Sequence, residues 1–456
     1  MPSTRALNRL TRLLGALPLP AVVCCVFAAA GLGAEAASAV AVAPDGSRIE
    51  LLLRDGNWLA GRLESLGDGA WTLSQVDGGP VEASRTIPRS SIVACLVGSD
   101  SRRSLAFLTQ FSVGALVLAD GQFLPGTLRT DARPAVWEHR WVGSVPLRTD
   151  AISEVRLVAN RRAPQRSDAD MVLFVNGDTT AGFVESIGDE VVLEPIDSDP
   201  TRGDAGENPP DGGQAVRSEP PAQESRTSRR IPIDRVAAVT FATLEQAASS
   251  DALMWTVDGS IVRAKSLAYE ADSGWRFFLA DDMLLGGREP RSIGAAATKP
   301  TAILLDRASM IPLVACGAPA HERPAATYRY EKGSQARLEA REEALLGLGS
   351  VELDGPLHAR FDLPATLRGL EGKIVFSAEI ALREPVPADA RISVAVRFAG
   401  SADETLVLDA DNRRKAVRVV GGPSKDAVLE IVVEDGGNGV AGDRIAIHRG
   451  CFLLQP

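Results

Sequence analysis

The residues best suited to chemistry in this sequence lie near its end, where Glu434-Asp435-Gly436-Gly437-Asn438-Gly439 is followed by Asp443. Side-chain oxygens on a glycine-rich loop suit Ca²⁺, a hard cation that takes about six to eight oxygen ligands in flexible geometry, so Asp435, Asn438 and Asp443 are the candidate ligands. The same residue types also build plain turns, because they tolerate positive φ and bond their own backbone. Both readings stay open at this level.

Other reactive groups are sparse. His139, His321, His358 and His448 lie far apart, none with a ligand-spaced partner, so a zinc site would have to be assembled from distant segments. The sequence has no Gly-x-Ser-x-Gly elbow, no His-Glu-x-x-His pair and no phosphate-cradling Gly-x-x-x-x-Gly-Lys loop. Paired carboxylates of the glycosidase kind would meet only in three dimensions. The expectation is a protein that is not an enzyme. Beyond residue 36 the cysteines are Cys95, Cys316 and Cys451, odd in number and widely scattered; they fit buried thiols, or at most one bridging pair, rather than a disulfide framework.

The elements that must position such groups read as strands throughout. Four stretches align on a glycine: RDGNWLAG (54–61), ADGQFLPG (119–126), VNGDTTAG (175–182) and VDGSIVRA (257–264). Each follows an apolar run, and Asp-Gly or Asn-Gly between such runs predicts a hairpin with a type I′ turn. A second half recurs as TIPRSSIVACLV (86–97), SVPLRTDAISEVRLV (144–158), RIPIDRVAAVTF (230–241) and AILLDRASMIPLV (302–314). In the first three, proline after an apolar residue suits the start of an edge strand, where a missing donor costs little. Gly61, Gly126 and Gly182 mark sharp bends or close backbone approach.

The period is near 60 residues once residues 199–230 are set aside. That insert is rich in Pro, Gly, Ser and charge, and is expected to be a mobile loop. The expectation is β repeats 1 and 2 over 45–160 and repeats 3 and 4 over 168–316, each a small β-barrel or meander packed against its neighbours. Locally the pattern resembles the first half of an Sm-type small barrel, although the acidic balance of the chain opposes the RNA binding that this resemblance implies.

Beyond Glu331, SQARLEAREEALL (334–346) reads as a short helix or a charged strand. Period-two alternation then runs through HARFDL (358–363), KIVFSAEIAL (373–382), RISVAVRFAG (391–400), ETLVLD (404–409), AVRVV (416–420), AVLEIVVED (427–435) and IAIHRGCFLL (445–454). The fold class expected is all-β: repeated units followed by an antiparallel β-sandwich of jelly-roll type. Phe361, Phe376 and Phe398 fall in these strands as core residues.

GLGS (347–350), LHARFDLPA (357–365), the KIVFSAEIAL strand and LEIVVEDGGNGVAGDRIAI (429–447) together resemble the NPCBM domain, a carbohydrate-binding module found beside glycoside hydrolases. The likeness covers about residues 325–456. It implies a jelly-roll sandwich that binds sugar through loops at one end. The tryptophan that the family carries shortly after the returning aspartate is replaced here by the run Arg444 to His448, and no Trp or Tyr follows Tyr330.

Residues 1–36 have the layout of a secretory signal peptide: Arg5, Arg9 and Arg12, an apolar stretch from Leu13 to Gly33, then Ala34-Glu35-Ala36. The alternative, an uncleaved membrane anchor, is opposed by Pro18 and Pro20. Cleavage would remove three arginines and one glutamate, moving the formal charge from -10 to -12. An acidic surface repels phosphate backbones and anionic lipid, which excludes nucleic acid as a partner class. The sequence thus points to an exported protein, periplasmic, cell-surface or extracellular, that binds a glycan. The alternative is a structural or protein-interaction component of the cell envelope whose sandwich has lost its sugar.

Overall fold

The computed structural model describes residues 48–455 except 68, 78–83, 99–113, 160–163, 165–167, 197–227, 243–250, 273, 280–290, 295–296, 323–335, 340–343, 365–366, 368–371, 399–400, 402, 423–427 and 435–443, and the described chain is all-β. The leader therefore lies outside the described residues, as does the 199–230 insert apart from Ser228, Arg229 and Arg230.

All four Asp-Gly or Asn-Gly pairs close one and the same turn. Gly56 N–H donates to Leu53 O and Leu53 N–H to Asn57 O, both at 2.9 Å. Gly121, Gly177 and Gly259 repeat the pattern on Leu118, Phe174 and Thr256. Only the glycines take positive φ, at 87°, 90°, 96° and 83°. This is a type I turn ending in a glycine bulge, and it replaces the expected type I′ turn, which needs two consecutive positive φ values. The residue before each glycine explains the difference. Its side-chain oxygen accepts the N–H of the residue after the glycine: Asp55 from Asn57 at 3.0 Å, Asp120 from Gln122 at 3.1 Å, Asn176 from Asp178 at 3.1 Å and Asp258 from Ser260 at 3.4 Å. In every copy the two flanking side chains also bond each other.

The first copy comprises β1 (Arg48–Leu53), β2 (Trp58–Leu66), β3 (Ala70–Ser74), β4 (Arg85–Pro88) and β5 (Ile92–Val97). Strand β1 pairs with β2 and β5, β2 with β3, and β3 with β4. The second copy repeats this with β6 (Gly114–Leu118), β7 (Phe123–Arg129), β8 (Val136–His139), β9 (Gly143–Pro146) and β10 (Ile152–Arg156). The third uses β11 (Asp170–Phe174), β12 (Thr179–Ile187), β13 (Glu190–Glu194), β14 (Arg229–Pro232) and β15 (Val236–Thr240). In the fourth, β16 (Ala252–Thr256) pairs with β17 (Ile261–Ala264), a break follows, and β18 (Ser266–Glu270), β19 (Gly274–Leu279), β20 (Arg291–Gly294) and β21 (Pro300–Leu304) complete the unit.

Pro88, Pro146 and Pro232 end the edge strands rather than start them. After Pro88 and Pro232 a single 3₁₀ turn leads into the last strand. The fourth copy departs from expectation, since its last strand is β21, and Ile311-Pro312 belongs to the sandwich. The mid-strand glycines are explained by close approach: a Cβ on Gly126 would meet Glu138 O at 2.3 Å, and one on Gly182 would meet Glu194 O at 2.5 Å. The fourth copy carries Ala264 at this position, and there the strand breaks.

Space order differs from chain order. Strand β5 pairs with β21, β10 with β15, and Phe123 of β7 with Ile261 of β17, so the copies run first, fourth, second, third. One apolar cluster, including Trp71, Trp137, Val172 and Phe277, runs through all four.

The sandwich has two sheets. Its strands are β22 (Met310–Pro312), β23 (Ala320–Glu322), β24 (Ala336–Glu339), β25 (Ser350–Asp354), β26 (Leu357–Asp362), β27 (Lys373–Leu382), β28 (Arg391–Phe398), β29 (Glu404–Asp409), β30 (Arg414–Gly421), β31 (Val428–Glu434) and β32 (Arg444–Gln455). One sheet has the order β24-β25-β32-β27-β30, with β22 beside β32; the other has the order β23-β26-β31-β28-β29. The segment read as helix or charged strand contains the strand β24. Phe361, Phe376 and Phe398 are buried between the sheets, as expected.

The outer face of the first sheet docks on the repeats. Val375, Cys451 and Leu453 pack in one cluster with Leu52, Phe123, Trp255 and Ile261. The first turn seals the joint: Ser377 Oγ donates to Gly56 O at 2.7 Å, and the Arg418 guanidinium donates to Asp55 O.

Candidate functional site

With part of the first sheet's outer face packed on the repeats, the second sheet offers the more open one. Its strands alternate strictly, so that Phe361, Ile431, Val433, Val394 and Val396 turn inward while His358, Arg360, Glu430, Val432, Glu434, Ser393, Ala395 and Arg397 face outward. Register then sets rows across the strands. Glu430 lies opposite Arg360 on one side and Arg397 on the other. In the next row Val432 lies opposite His358 and Ala395, and Ala395 opposite Thr405. In the third, Glu434 lies opposite Ser393, and Ser393 opposite Val407.

The middle row carries the small side chains Val432 and Ala395 between two polar rows, so a shallow floor is flanked by donors and acceptors of both charge signs. His358 Nε2 is 3.8 Å from Glu430 Oε2, and Arg397 Nε is 2.8 Å from Asp403 Oδ2. Arg360 is exposed in the same row. An extended polar chain laid across the strands would find hydrogen-bonding groups on both sides of its path. These face residues were not singled out from the sequence, although the alternation in HARFDL, with His358, Arg360 and Asp362 in one phase, was the signal that could have found them.

The predicted calcium ligands Asp435, Asn438 and Asp443 lie outside the described residues. Among the described residues no group of three or more His, Cys, Asp or Glu is placed to hold a metal ion. Cys95, Cys316 and Cys451 are all free, so none of the three bridges another.

One constellation that sequence spacing hid is a buried histidine and serine with a half-buried aspartate. His139 Nε2 is 2.8 Å from Ser260 Oγ, and Ser260 Oγ donates to Asp258 Oδ2 at 3.0 Å. Its wiring opposes nucleophilic chemistry. His139 Nδ1 accepts the Val142 N–H at 3.2 Å, so the neutral ring carries its proton on Nε2 and donates to the serine instead of drawing a proton from it. Ser260 is fully buried. Burial pushes the His139 pKa down to about 4, against the opposing pull of Asp258. Burial would raise the Asp258 carboxyl, but hydrogen bonds from Thr256, Trp141 and Ser260 hold it below the usual range. The cluster is a polar clasp between the second and fourth copies.

No family model and no curated protein matches this sequence. Parts of this chain are similar to solved carbohydrate-binding modules. A CBM51 module of a GH95 protein from Clostridium perfringens, solved with methyl-galactose, is 15% identical with a TM-score of 0.23, over 32% of this chain and 99% of that one. The second CBM51 module with the INT domains of Clostridium perfringens ZmpB, solved with GlcNAc, is 13% identical with a TM-score of 0.24, over 44% of this chain and 43% of that one. The xylan-binding CBM22-1 domain of Paenibacillus barcinonensis Xyn10C is 14% identical with a TM-score of 0.18, over 29% of this chain and 88% of that one. Among the described residues no helix is long and apolar enough to cross a membrane.

Proposed function

We propose that this chain is an exported, non-catalytic recognition protein whose NPCBM-like sandwich holds a glycan on the open sheet, with the four repeats as a rigid base. The observation that carries this reading is the inequality of the two sandwich faces. One is partly buried against Leu52, Trp255 and Ile261 of the repeats, while the other presents Arg360, Glu430, Arg397 and Ser393 around the floor of Val432 and Ala395. Sugar hydroxyls both donate and accept, and a surface of mixed donors and acceptors matches them. Among the described residues of this face there is no Trp, Tyr or Phe ring to stack on a pyranose, so affinity from these residues rests on hydrogen bonds and is weak per site.

The test is titration of the protein with a panel of polysaccharides, followed by backbone amide shifts. Supporting results are perturbations confined to the rows of the open sheet and loss of binding in Arg360→Ala and Glu430→Ala. Absence of retention on every glycan, with and without Ca²⁺, sinks the reading.

A second reading is an interaction component of the cell envelope. The missing ring favours it, because a sandwich that no longer grips sugar still supplies a stable platform. Co-purification of a stable envelope partner through the repeats would support this alternative.

A further inference from the structure

The outer face of the first hairpin is adhesive in three of the four copies. Leu52 and Trp58 of the first, Ala115, Val117 and Phe123 of the second, and Leu253, Trp255 and Ile261 of the fourth all pack in the central cluster shared with the sandwich. The second and fourth copies meet there directly. Phe123 pairs with Ile261, Asp120 binds Arg263 of the fourth copy at 2.7 Å, and Asp258 accepts from Trp141 Nε1 of the second at 2.7 Å.

The third copy breaks the pattern in two places. Three residues past the turn aspartate the others carry Trp58, Phe123 and Ile261, whereas the third carries Thr179, which is exposed. Seven residues past it the others carry Arg62, Thr127 and Lys265, whereas the third carries Phe183, 50% exposed. Ile196, just beyond the paired strand β13, is 44% exposed, and Met171 and Leu173 of β11 are only half-buried. The apolar position has moved along the strand, away from the chain's own centre. A single exposed apolar residue is ordinary, but a shifted phenylalanine grouped with Ile196, Met171 and Leu173 marks an interface.

We infer that the outer face of the third copy, centred on Phe183 and Ile196, is a self-association surface that docks on the same face of a second copy of this chain. The occupant follows from the chain itself, because Phe123 and Ile261, at equivalent positions of the second and fourth copies, already pair antiparallel with each other. A two-fold dimer needs one patch that is complementary to itself. Charge permits it: exposed Glu185, Arg229, Arg230 and Arg235 lie on this copy together with Glu190, so both signs are present despite the acidic balance of the whole chain.

Sedimentation equilibrium of the full chain tests this. The expected result is a reversible dimer whose dissociation constant rises roughly tenfold or more in Phe183→Glu and in Ile196→Glu, with thermal unfolding of the monomer unchanged. Phe278→Glu, at an exposed residue of the fourth copy, should leave the dimer intact. In Phe183→Cys, mild oxidation should trap a covalent dimer, a readout that survives if a charged substitution misfolds. A monomer at concentrations up to about 100 μM, a dimer indifferent to both substitutions, or no trapped dimer overturns the inference.

Discussion

His139 of the second repeat and Ser260 of the fourth stand 2.8 Å apart across 121 positions of sequence, with Asp258 completing the clasp. The three residue types match those of a hydrolase, but the direction of the hydrogen bonds makes the cluster structural. An imidazole held neutral beside a carboxylate is a pH-dependent fastener.

Because burial lowers the His139 pKa to about 4, the unfolded chain binds a proton between roughly pH 6.5 and 4 that the folded chain refuses. Its contribution is fully present above pH 6.5 and is lost as the pH falls toward 4, by about 3 kcal/mol. Urea midpoints measured over this range should fall more steeply for the native protein than for His139→Gln. Equal slopes would contradict the assignment.

Ser260→Ala removes the acceptor of the His139 proton and one donor to Asp258 inside a buried site. A loss of about 1–3 kcal/mol is expected, read as a lower denaturation midpoint, while Ser144→Ala on the exposed edge strand should change little.

Gly126→Ala should destabilise the second repeat strongly, because its Cβ would sit 2.3 Å from Glu138 O and 2.6 Å from Trp137 Nε1, and a backbone oxygen cannot move aside cheaply. A cost of roughly 3 kcal/mol is expected from overpacking. Gly188→Ala, with open space around it, serves as the control. Similar melting temperatures for the two variants would show that the strands can spread.

Arg449 locks the first repeat to the sandwich, with Nη1 2.5 Å from Glu50 Oε2 and its guanidinium 4.8 Å from the Trp58 ring centre. Arg449→Ala leaves Glu50 largely buried without its partner and should cost roughly 3 kcal/mol. A double substitution with Glu50→Gln should cost less than the sum of the singles. Additive losses in the denaturation cycle would mean that the two side chains do not act as a pair.

The thiols are predicted to be inert in the native state. Burial raises Cys316 and Cys451 to about 12 and pushes Cys95 higher still, so little thiolate exists at pH 8. A chromogenic disulfide reagent should react slowly with the folded protein and rapidly once it is unfolded. Fast native labelling of Cys95 or Cys451 would contradict their burial.

Much of the fold was legible because it is decided over a few residues. The polar residues on either side of each turn glycine bond each other within a span of three positions, so every copy of the motif folds alike wherever it stands. Alternation along β26 to β32 likewise assigns inward and outward faces, since the pleat has a period of two. The turn type is set instead by the Asn57 N–H donating to the Asp55 side chain, and by its equivalents in the other copies, with positive φ at the glycine alone.

The arrangement of these parts was not legible. That the fourth copy sits between the first and the second, that Asp120 meets Arg263, and that one sandwich face is partly covered by the repeats while the other is not depend on surfaces contributed by segments more than a hundred residues apart. A single side chain at such a joint gains little until its distant partner arrives, so its residue type carries no local mark of the pairing. Sequence alone determined the strands, the positions of the turns and the inward-facing core; the tertiary structure alone decided the order of the copies in space and which sandwich face stays the more open.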